Sequence, residues 1–265
     1  MTELNRRSFL KGSLSAAASP GLLAAADFRV VWDLAKAHRE ATPTRERVSI
    51  NGLWRWQPAG DAVETAPAGA WGHLRVPESW PGGSQRWTGS PVFYPDPGWG
   101  KKDLGGVTAA WHQREITAPR EWSGRRITLY AEYLNSYAVV YLDGAKVGEM
   151  RYPRGEIDLT SACRPGQTHL LSMLVVAMPL KAVMLSYNDT AAARQVEGRV
   201  ARRGLCGDVY LGGTPAGPRI TDVKGDTSVR RWQITFDAAL AALAAETRYV
   251  LRARIQDGDR LVEEF

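Results

Sequence analysis

Short stretches of alternating apolar and polar residues recur along the chain from about residue 46, and Gly, Pro and Asp residues separate them. In residues 127–133 every second side chain is apolar or aromatic, which is the period of a β-strand with one buried face. A second apolar run, residues 138–142, leads through Asp143-Gly144 into a further strand candidate at 145–148. An Asp-Gly pair between two such runs predicts a β-hairpin, because a type I′ turn needs two consecutive positive φ angles.

The remaining strand candidates are equally short, and groups of turn-forming residues separate them at intervals of about ten residues. These candidates are residues 51–56, 73–76, 109–117, 168–177, 207–212, 219–227, 231–237 and 247–256. Many short strands with this spacing predict an all-β protein built as an antiparallel β-sandwich. The alanine-rich residues 238–245 fit either a helical turn or a loop, and residues 27–44 fit a short helix or a linker.

A turn-rich segment, residues 212–218 (GGTPAGP), predicts a domain boundary between a first sandwich at 46–215 and a second unit at 216–265. Three strand candidates follow this boundary, whereas a β-sandwich needs about seven strands to bury both inner faces. We therefore expect residues 216–265 to be part of a second sandwich that is cut short. The alternative is that these strands extend the first sandwich.

The N-terminal residues have the features of an export signal. Residues 6–11 (RRSFLK) resemble a twin-arginine motif, residues 14–26 are mildly apolar, and the alanines at 24–26 fit a cleavage site. The sequence therefore predicts a twin-arginine signal peptide at 1–26, a linker at 27–45, and a periplasmic or secreted protein. Ser, Pro and Gly interrupt the apolar stretch, so it is too short to span a membrane. The rest of the sequence contains no apolar segment long enough to predict a membrane span.

The composition limits the kinds of ligand and partner that we expect for this protein. The formal net charge of the 265 residues is +6, but the arginines are scattered without a run of like charges, so we expect no nucleic-acid partner. The four histidines are isolated, which gives no reason to expect a metal site or a cofactor. Cys163 and Cys206 are too few for a disulfide framework, although they fit one bridge or two buried thiols. Eight of the ten tryptophans lie between residues 54 and 122, and core packing is the first explanation for each of them.

Seven segments, in the same order along the chain, resemble motifs of the N-terminal sugar-binding domain of glycoside hydrolase family 2. They are residues 51–56 (NGLWRW), 76–80 (VPESW), 111–114 (WHQR), 119–129 (PREWSGRRITL), 135–144 (NSYAVVYLDG), 155–160 (GEIDLT) and 204–211 (GLCGDVYL). This family contains β-galactosidases, β-glucuronidases and β-mannosidases. None of the seven is specific alone, but their order across the chain makes the resemblance specific.

The resemblance implies a galactose-binding-like jelly-roll β-sandwich at 46–215, followed by the start of an immunoglobulin-like β-sandwich at 216–265. In the family a catalytic barrel comes next and supplies both catalytic carboxylates, so we assign no catalytic residue here and expect this chain alone to be inactive. Its expected partners are a β-glycoside and its own catalytic barrel, which is absent from this chain. The alternative is a stand-alone carbohydrate-binding module or an inactive remnant.

The resemblance also points to site residues. It implies that Asp208 reaches the active site and accepts hydrogen bonds from sugar hydroxyls, although an Asp at this place also fits a structural role at the start of a strand. The chain departs from the family pattern at Cys206 and Gly207, where an aromatic residue and an arginine are usual. Trp87 and Trp99 are candidates for stacking on the sugar, with packing as the alternative. The arginines of the polar loop 179–203 fit either an acidic sugar or a contact between domains.

Overall fold

The computed structural model describes residues 30–60, 65–82, 90–177, 180–184, 194–198 and 202–265, and for 180–184 and 194–198 it describes the backbone alone. The predicted signal peptide and Trp87 lie outside the described residues, so both remain predictions. No helix of the described part is long and apolar enough to cross a membrane.

The regular secondary structure of the described residues is β-strand, apart from two short 3-10 helices at Pro97–Trp99 and Arg120–Trp122. The strands are β1 (Arg39–Ala41), β2 (Glu46–Ser49), β3 (Gly52–Pro58), β4 (Gly72–Val76), β5 (Phe93–Tyr94), β6 (Ala109–Thr117), β7 (Arg125–Ala131), β8 (Leu134–Asn135), β9 (Tyr137–Leu142), β10 (Ala145–Arg151), β11 (Gly155–Asp158), β12 (Thr168–Val176), β13 (Leu180–Met184), β14 (Arg194–Gly198), β15 (Gly204–Leu205), β16 (Val209–Pro215), β17 (Arg219–Ser228), β18 (Gln233–Ala241), β19 (Arg254–Asp257) and β20 (Arg260–Glu264).

Two antiparallel sheets form the layers of a β-sandwich. One sheet has five strands in the order β1-β2-β16-β7-β11, and the other has seven in the order β10-β9-β12-β6-β3-β4-β5. Within the described residues, four further two-stranded pairs occur: β13-β14, β15-β8, β17-β18 and β19-β20. The predicted all-β sandwich is therefore confirmed.

The core lies between the two sheets and follows the two-residue period of the strands. In β7, Ile127, Leu129 and Ala131 point inward and are fully buried. Five tryptophans are also fully buried, namely Trp54, Trp56, Trp80, Trp111 and Trp122. All but Trp111 belong to the core cluster, whereas Trp111 packs against Tyr141 with 5.5 Å between ring centroids.

The indole N–H groups of two core tryptophans are bonded to groups at the edge of the core. Trp54 donates to the Ile50 carbonyl at 2.9 Å, and Trp122 donates to the Glu46 carboxylate at 2.7 Å. A buried donor without an acceptor costs about 1–3 kcal/mol, so these bonds let large aromatic side chains be buried without that penalty. Core packing is thus the main role of the tryptophans at these positions.

The predicted Asp-Gly hairpin is confirmed. Asp143 and Gly144 join β9 to β10 with φ angles of 50° and 83°, as a type I′ turn requires. The Asp143 carboxylate also accepts the Leu170 N–H at 2.7 Å and contacts His169 Nδ1 at 2.6 Å. Because His169 Nε2 accepts the Arg164 N–H at 2.9 Å, Nδ1 carries the proton and donates to Asp143. The turn is thereby tied to the adjacent strand β12.

Several expected strand boundaries are wrong. The candidate at 247–256 contains only β19, which begins at Arg254, and the strand expected at 207–212 is β16 at Val209–Pro215. The alanine-rich segment after residue 237 is neither a helical turn nor wholly a loop, because β18 continues to Ala241. The pattern also missed β1 and β2, since three or four residues are too few to display a period of two.

The C-terminal strands form two hairpins with exposed side chains. In β17-β18, cross-strand pairing places charged residues such as Asp222 and Lys224 on one face. The opposite face carries the apolar residues Ile220, Val223, Ile234, Phe236 and Leu240. These five side chains are 43–54% exposed. The hairpin is therefore amphipathic, and its apolar face is uncovered in the described part of the chain.

Both cysteines are free thiols. Burial raises the pKa of Cys163 to about 11 and that of Cys206 to about 12, so neither thiol ionises near neutral pH. Of the two roles left open by the sequence, the structure therefore contains unbridged thiols.

His112 is an ionisable residue in the sandwich interior. Its ring is fully buried and lies 6.1 Å from the ring of Trp80. Within the described residues, neither ring nitrogen makes a hydrogen bond of good geometry. Burial lowers the pKa of His112 to about 3, while the backbone of Ala110 acts in the opposite direction. The fold therefore holds this imidazole in its neutral form.

We predict that His112 makes the fold sensitive to acid. Between pH about 6.5, the usual His value, and pH about 3, the unfolded chain binds a proton at His112 that the folded chain does not. The free energy of unfolding should therefore fall as the pH falls through this window, by up to about 1.4 kcal/mol per pH unit from this group. Urea denaturation at a series of pH values measures this slope.

The comparison needs two variants. His112→Leu should flatten the slope, whereas His38→Leu, which removes an exposed imidazole, should leave it as in the wild-type protein. Carboxylates other than Glu40, which lies 3.6 Å from His38, contribute equally to all three curves, so the differences between the proteins are informative. An unchanged slope in His112→Leu would contradict the assignment.

Candidate functional site

Asp208 lies immediately before β16 and is half-buried. Its Oδ1 accepts a hydrogen bond from the Asn51 amide at 3.0 Å, and its Oδ2 accepts one from the Tyr210 hydroxyl at 2.9 Å. The Asn51 side-chain oxygen in turn accepts the Val209 N–H at 3.0 Å. These bonds join the residue before β3 to the start of β16, so Asp208 connects the two sheets.

Tyr210 completes this network on the face of the five-stranded sheet. Its ring is buried beneath the Arg47 guanidinium, which lies 4.6 Å from the ring centroid. Burial, and then the hydrogen bond and charge of Asp208, raise the pKa of Tyr210 to about 12. The hydroxyl is therefore protonated at neutral pH and serves as a donor to Asp208. Arg47 also forms ion pairs with Glu40 and Glu132, the latter at 3.8 Å.

The departure from the family pattern at residues 206 and 207 has a local cause. The N–H groups of Cys206 and Gly207 both donate to the Tyr133 carbonyl at 2.9 Å, which draws the chain against Tyr133. A Cβ atom added at Gly207 would lie only 2.6 Å from the backbone nitrogen of Tyr133. An arginine at this position therefore does not fit without a shift of the backbone.

Trp99 belongs to an aromatic cluster beside the seven-stranded sheet. Its half-buried ring lies 6.0 Å from Trp56 and stacks on Phe93 at 6.2 Å. The indole N–H donates to the Ala70 carbonyl at 3.1 Å, and Asp96 caps the short helix that holds the ring. These contacts fix the ring in place, and its role in stacking on a sugar stays a prediction.

The contacts of Asp208 and Trp99 belong to separate networks. Asp208 bonds to residues that begin β3 and β16, whereas Trp99 packs on the aromatic cluster beside β5. Sequence reasoning missed Asn51 and Tyr210 as partners of Asp208. Both lie inside the quoted motifs, but a motif does not reveal that the first and the last of them meet in space.

The segment 179–203 was expected to be a loop, but it contains the antiparallel strand pair β13-β14. One of its arginines, Arg203, has a structural role. The buried Arg203 guanidinium donates to the carbonyls of Val107 at 2.6 Å, Gly105 at 3.1 Å and Pro81 at 3.1 Å. It also lies over the Trp80 ring at 5.6 Å. Arg203 therefore holds two loops against the core, whereas the neighbouring Arg202 is exposed. Among the described residues, no group of three His, Cys, Asp or Glu residues is arranged to hold a metal ion.

Comparisons with known proteins bear on the family. No protein-family profile matches this chain. The β-glucuronidase of dog (Canis lupus familiaris) is 30% identical to it over 112 residues, which are 41% of this chain and 17% of that protein. The β-glucuronidase of Paenibacillus borealis is 24% identical over 136 residues, which are 51% of this chain and 22% of that protein. This chain thus spans about a fifth of the length of the curated relatives it matches.

Solved β-glucuronidases share the fold. The protein from an uncultured Clostridium sp. superimposes with a TM-score of 0.62 at 17% identity, covering 86% of this chain and 39% of that one. The Ruminococcus gnavus protein in complex with D-glucuronic acid gives 0.60 at 16% identity, with coverage of 86% and 39%. The Bifidobacterium dentium protein complexed with coumarin-3-O-glucuronide gives 0.52 at 23% identity, with coverage of 71% and 33%. The resemblance to glycoside hydrolase family 2 is thus confirmed, since β-glucuronidases are similar to this chain in sequence over 41–51% of it and in fold over up to 86% of it.

Proposed function

We propose that this chain is the sugar-binding and scaffold portion of an exported family 2 glycoside hydrolase, whose catalytic barrel lies outside it. The observation that carries the proposal is the two-sheet sandwich, which contains the seven motifs in family order and superimposes on β-glucuronidases. The named relatives and the glucuronic acid and glucuronide in two of the solved complexes support a β-glucuronide as the substrate of the whole protein.

Hydrolysis of a glycosidic bond needs two carboxylates on either side of it, about 5–9.5 Å apart depending on the stereochemistry. Many acids of this chain are engaged otherwise, since Glu46 bonds to Trp122 and Asp158 pairs with Arg126. The adjacent Glu263 and Glu264 lie on β20, where successive side chains point to opposite faces. We therefore place the catalytic pair in the barrel and assign a supporting role to this chain.

We further propose that residues 216–265 belong to a second, immunoglobulin-like β-sandwich. The amphipathic pattern of the β17-β18 hairpin supports this, because in a β-sandwich the apolar face of each sheet packs against the opposing sheet. The structural match also supports it, because the match covers 86% of the chain, which is more than residues 46–215 alone make up. The exposed apolar face then contacts the opposing sheet of that domain.

The first prediction from the proposed function concerns hydrolysis of glycosides. The isolated chain should not hydrolyse nitrophenyl β-D-glucuronide or the corresponding galactoside and mannoside, because it supplies no pair of carboxylates across a sugar pocket. Release of nitrophenol, followed by absorbance against a protein-free control, measures this. Hydrolysis above that of the protein-free control, eluting together with the folded chain, would contradict the assignment of catalysis to a separate barrel.

The second prediction concerns export. Replacing Arg6 and Arg7 together by lysine should leave the protein in the cytoplasm with its leader uncleaved, because the twin-arginine signal is read by a receptor. Fractionation of bacterial cells and immunoblotting follow the distribution. Replacing Arg230 and Arg231 by lysine, an exposed adjacent pair in the turn between β17 and β18, is the matched control and should leave export unchanged. Equal periplasmic levels of all three proteins would show that the leader is not such a signal.

The third prediction concerns Asp208. In Asp208→Ala the Tyr210 hydroxyl and the Asn51 amide lose their acceptor, which should lower the free energy of unfolding by about 1–3 kcal/mol. Asp226→Ala, on the exposed hairpin, is the control and should change stability by less than about 0.5 kcal/mol. Urea denaturation of the three proteins measures both effects.

A separate measurement tests the role of Asp208 in sugar binding. In the whole enzyme, Asp208→Asn keeps the shape of the side chain and should weaken binding of a glucuronide if the carboxylate contacts the sugar. Kinetic constants unchanged from the wild-type enzyme would leave Asp208 with its structural role alone.

A further inference from the structure

Backbone hydrogen bonds connect three segments of the chain around Tyr133. The Leu134 N–H donates to the Pro153 carbonyl at 2.8 Å, and the N–H groups of Cys206 and Gly207 donate to the Tyr133 carbonyl at 2.9 Å. The residues between β7 and β8, between β10 and β11, and around β15 therefore have fixed relative positions. Side chains that project from them are held in place before a ligand arrives, which lowers the cost of binding.

Two tyrosines project from these segments. The rings of Tyr133 and Tyr152 meet edge to face, with 5.8 Å between centroids and 76° between planes. Tyr152 is 57% exposed and Tyr133 is half-buried. Partial burial and the neighbouring Tyr152 hydroxyl raise the pKa of Tyr133, so its hydroxyl is protonated at neutral pH. The pair thus offers an accessible aromatic face beside phenolic hydroxyl groups.

Arg202 brings a positive charge to the same place. Its backbone carbonyl accepts the Asn135 side-chain amide at 2.6 Å, which anchors the residue. The pairing of Gly204 with Asn135 and of Leu205 with Leu134 holds the segment that follows Arg202 beside the segment that follows Tyr133. Within the described part of the chain Arg202 forms no ion pair, and the nearby Glu132 is paired with Arg47 at 3.8 Å.

We propose that the tyrosine–arginine surface, defined by Tyr133, Tyr152 and Arg202, binds the ring of an acidic sugar. The apolar face of the sugar ring packs on Tyr152, as carbon-bound hydrogens do on an aromatic face. The guanidinium of Arg202 pairs with the sugar carboxylate, because its planar fork matches two carboxylate oxygens. The inference rests on the proposed function, since it names the class of sugar and the residues of this chain that contact it.

A neutral sugar and a protein segment are the competing occupants. Since the exposed guanidinium has no ion pair among the residues that the structure describes, a neutral sugar would give it no counter-charge, and its positive charge therefore favours an anionic ligand. A protein segment would also engage tyrosine and arginine, which are common at protein interfaces. Direct binding of a small uronate to the isolated chain separates these occupants, because it requires no second protein.

The test measures dissociation constants of methyl β-D-glucuronide and methyl β-D-glucoside for the full chain by ligand-observed NMR. The wild-type chain should bind the glucuronide more tightly than the glucoside. Tyr152→Ala should weaken binding of both sugars by about three- to tenfold. Arg202→Ala should weaken binding of the glucuronide by a similar factor and leave binding of the glucoside unchanged.

Two control variants match these changes. Trp232→Ala removes an exposed aromatic ring, and Arg230→Ala removes the same charge from a distant turn, so both should bind as the wild-type chain does. Near-ultraviolet circular dichroism checks that every variant is folded. If Arg230→Ala weakens glucuronide binding as much as Arg202→Ala, the effect is one of net charge and the proposed surface is wrong.

The remaining outcomes distinguish this inference from the proposed function. If the wild-type chain binds the glucuronide and the tyrosine–arginine variants bind it equally well, the surface is wrong while sugar binding by the chain stands. If the wild-type chain binds neither sugar, the surface is wrong and the sugar-binding part of the proposed function fails with it. If the wild-type chain binds the glucoside as tightly as the glucuronide, and Tyr152→Ala weakens both, the acidic specificity alone is overturned.

Discussion

The fold depends on burying large indole rings, and for two of the five fully buried tryptophans the indole N–H also has a hydrogen-bond acceptor among the described residues. Trp54 and Trp122 achieve this through hydrogen bonds to Ile50 and Glu46, which lie where the strands enter the core. Packing of these rings sets the separation of the sheets, because dense interiors tolerate neither gaps nor excess volume. The position of every loop at the ends of the sandwich follows from that separation.

The connection between β3 and β16, which belong to different sheets, is the second constraint. Asn51 and Asp208 are far apart in sequence, and their hydrogen bond joins the beginning of β3 to the beginning of β16. Tyr210 adds a further donor from the face of the sheet. Closing such a long loop costs entropy, so a short polar network at the point of closure specifies the register as well as adding energy. This network accounts for Asp208 without requiring a sugar.

The sequence predicted the architecture better than the site. Alternation in residues 127–133 and the Asp143-Gly144 turn were sufficient for the all-β sandwich, because both signals are local. The short strands β1 and β2 were not predicted, since they are too short to show a period: β2 pairs with the distant strand β16, and β1 pairs with β2. The contact between Gly207 and Tyr133 could not be predicted either, because it depends on how two loops approach each other in space.

The uncovered side of the β17-β18 hairpin governs how the chain behaves in concentrated solution. Isolated hairpins have unpaired backbone groups along both outer edges, and an apolar surface beside such edges favours strand-to-strand association between molecules. Phe236 and Ile234 lie on that surface, about half exposed. As long as no other layer covers these residues, we expect self-association of the isolated chain to increase with its concentration.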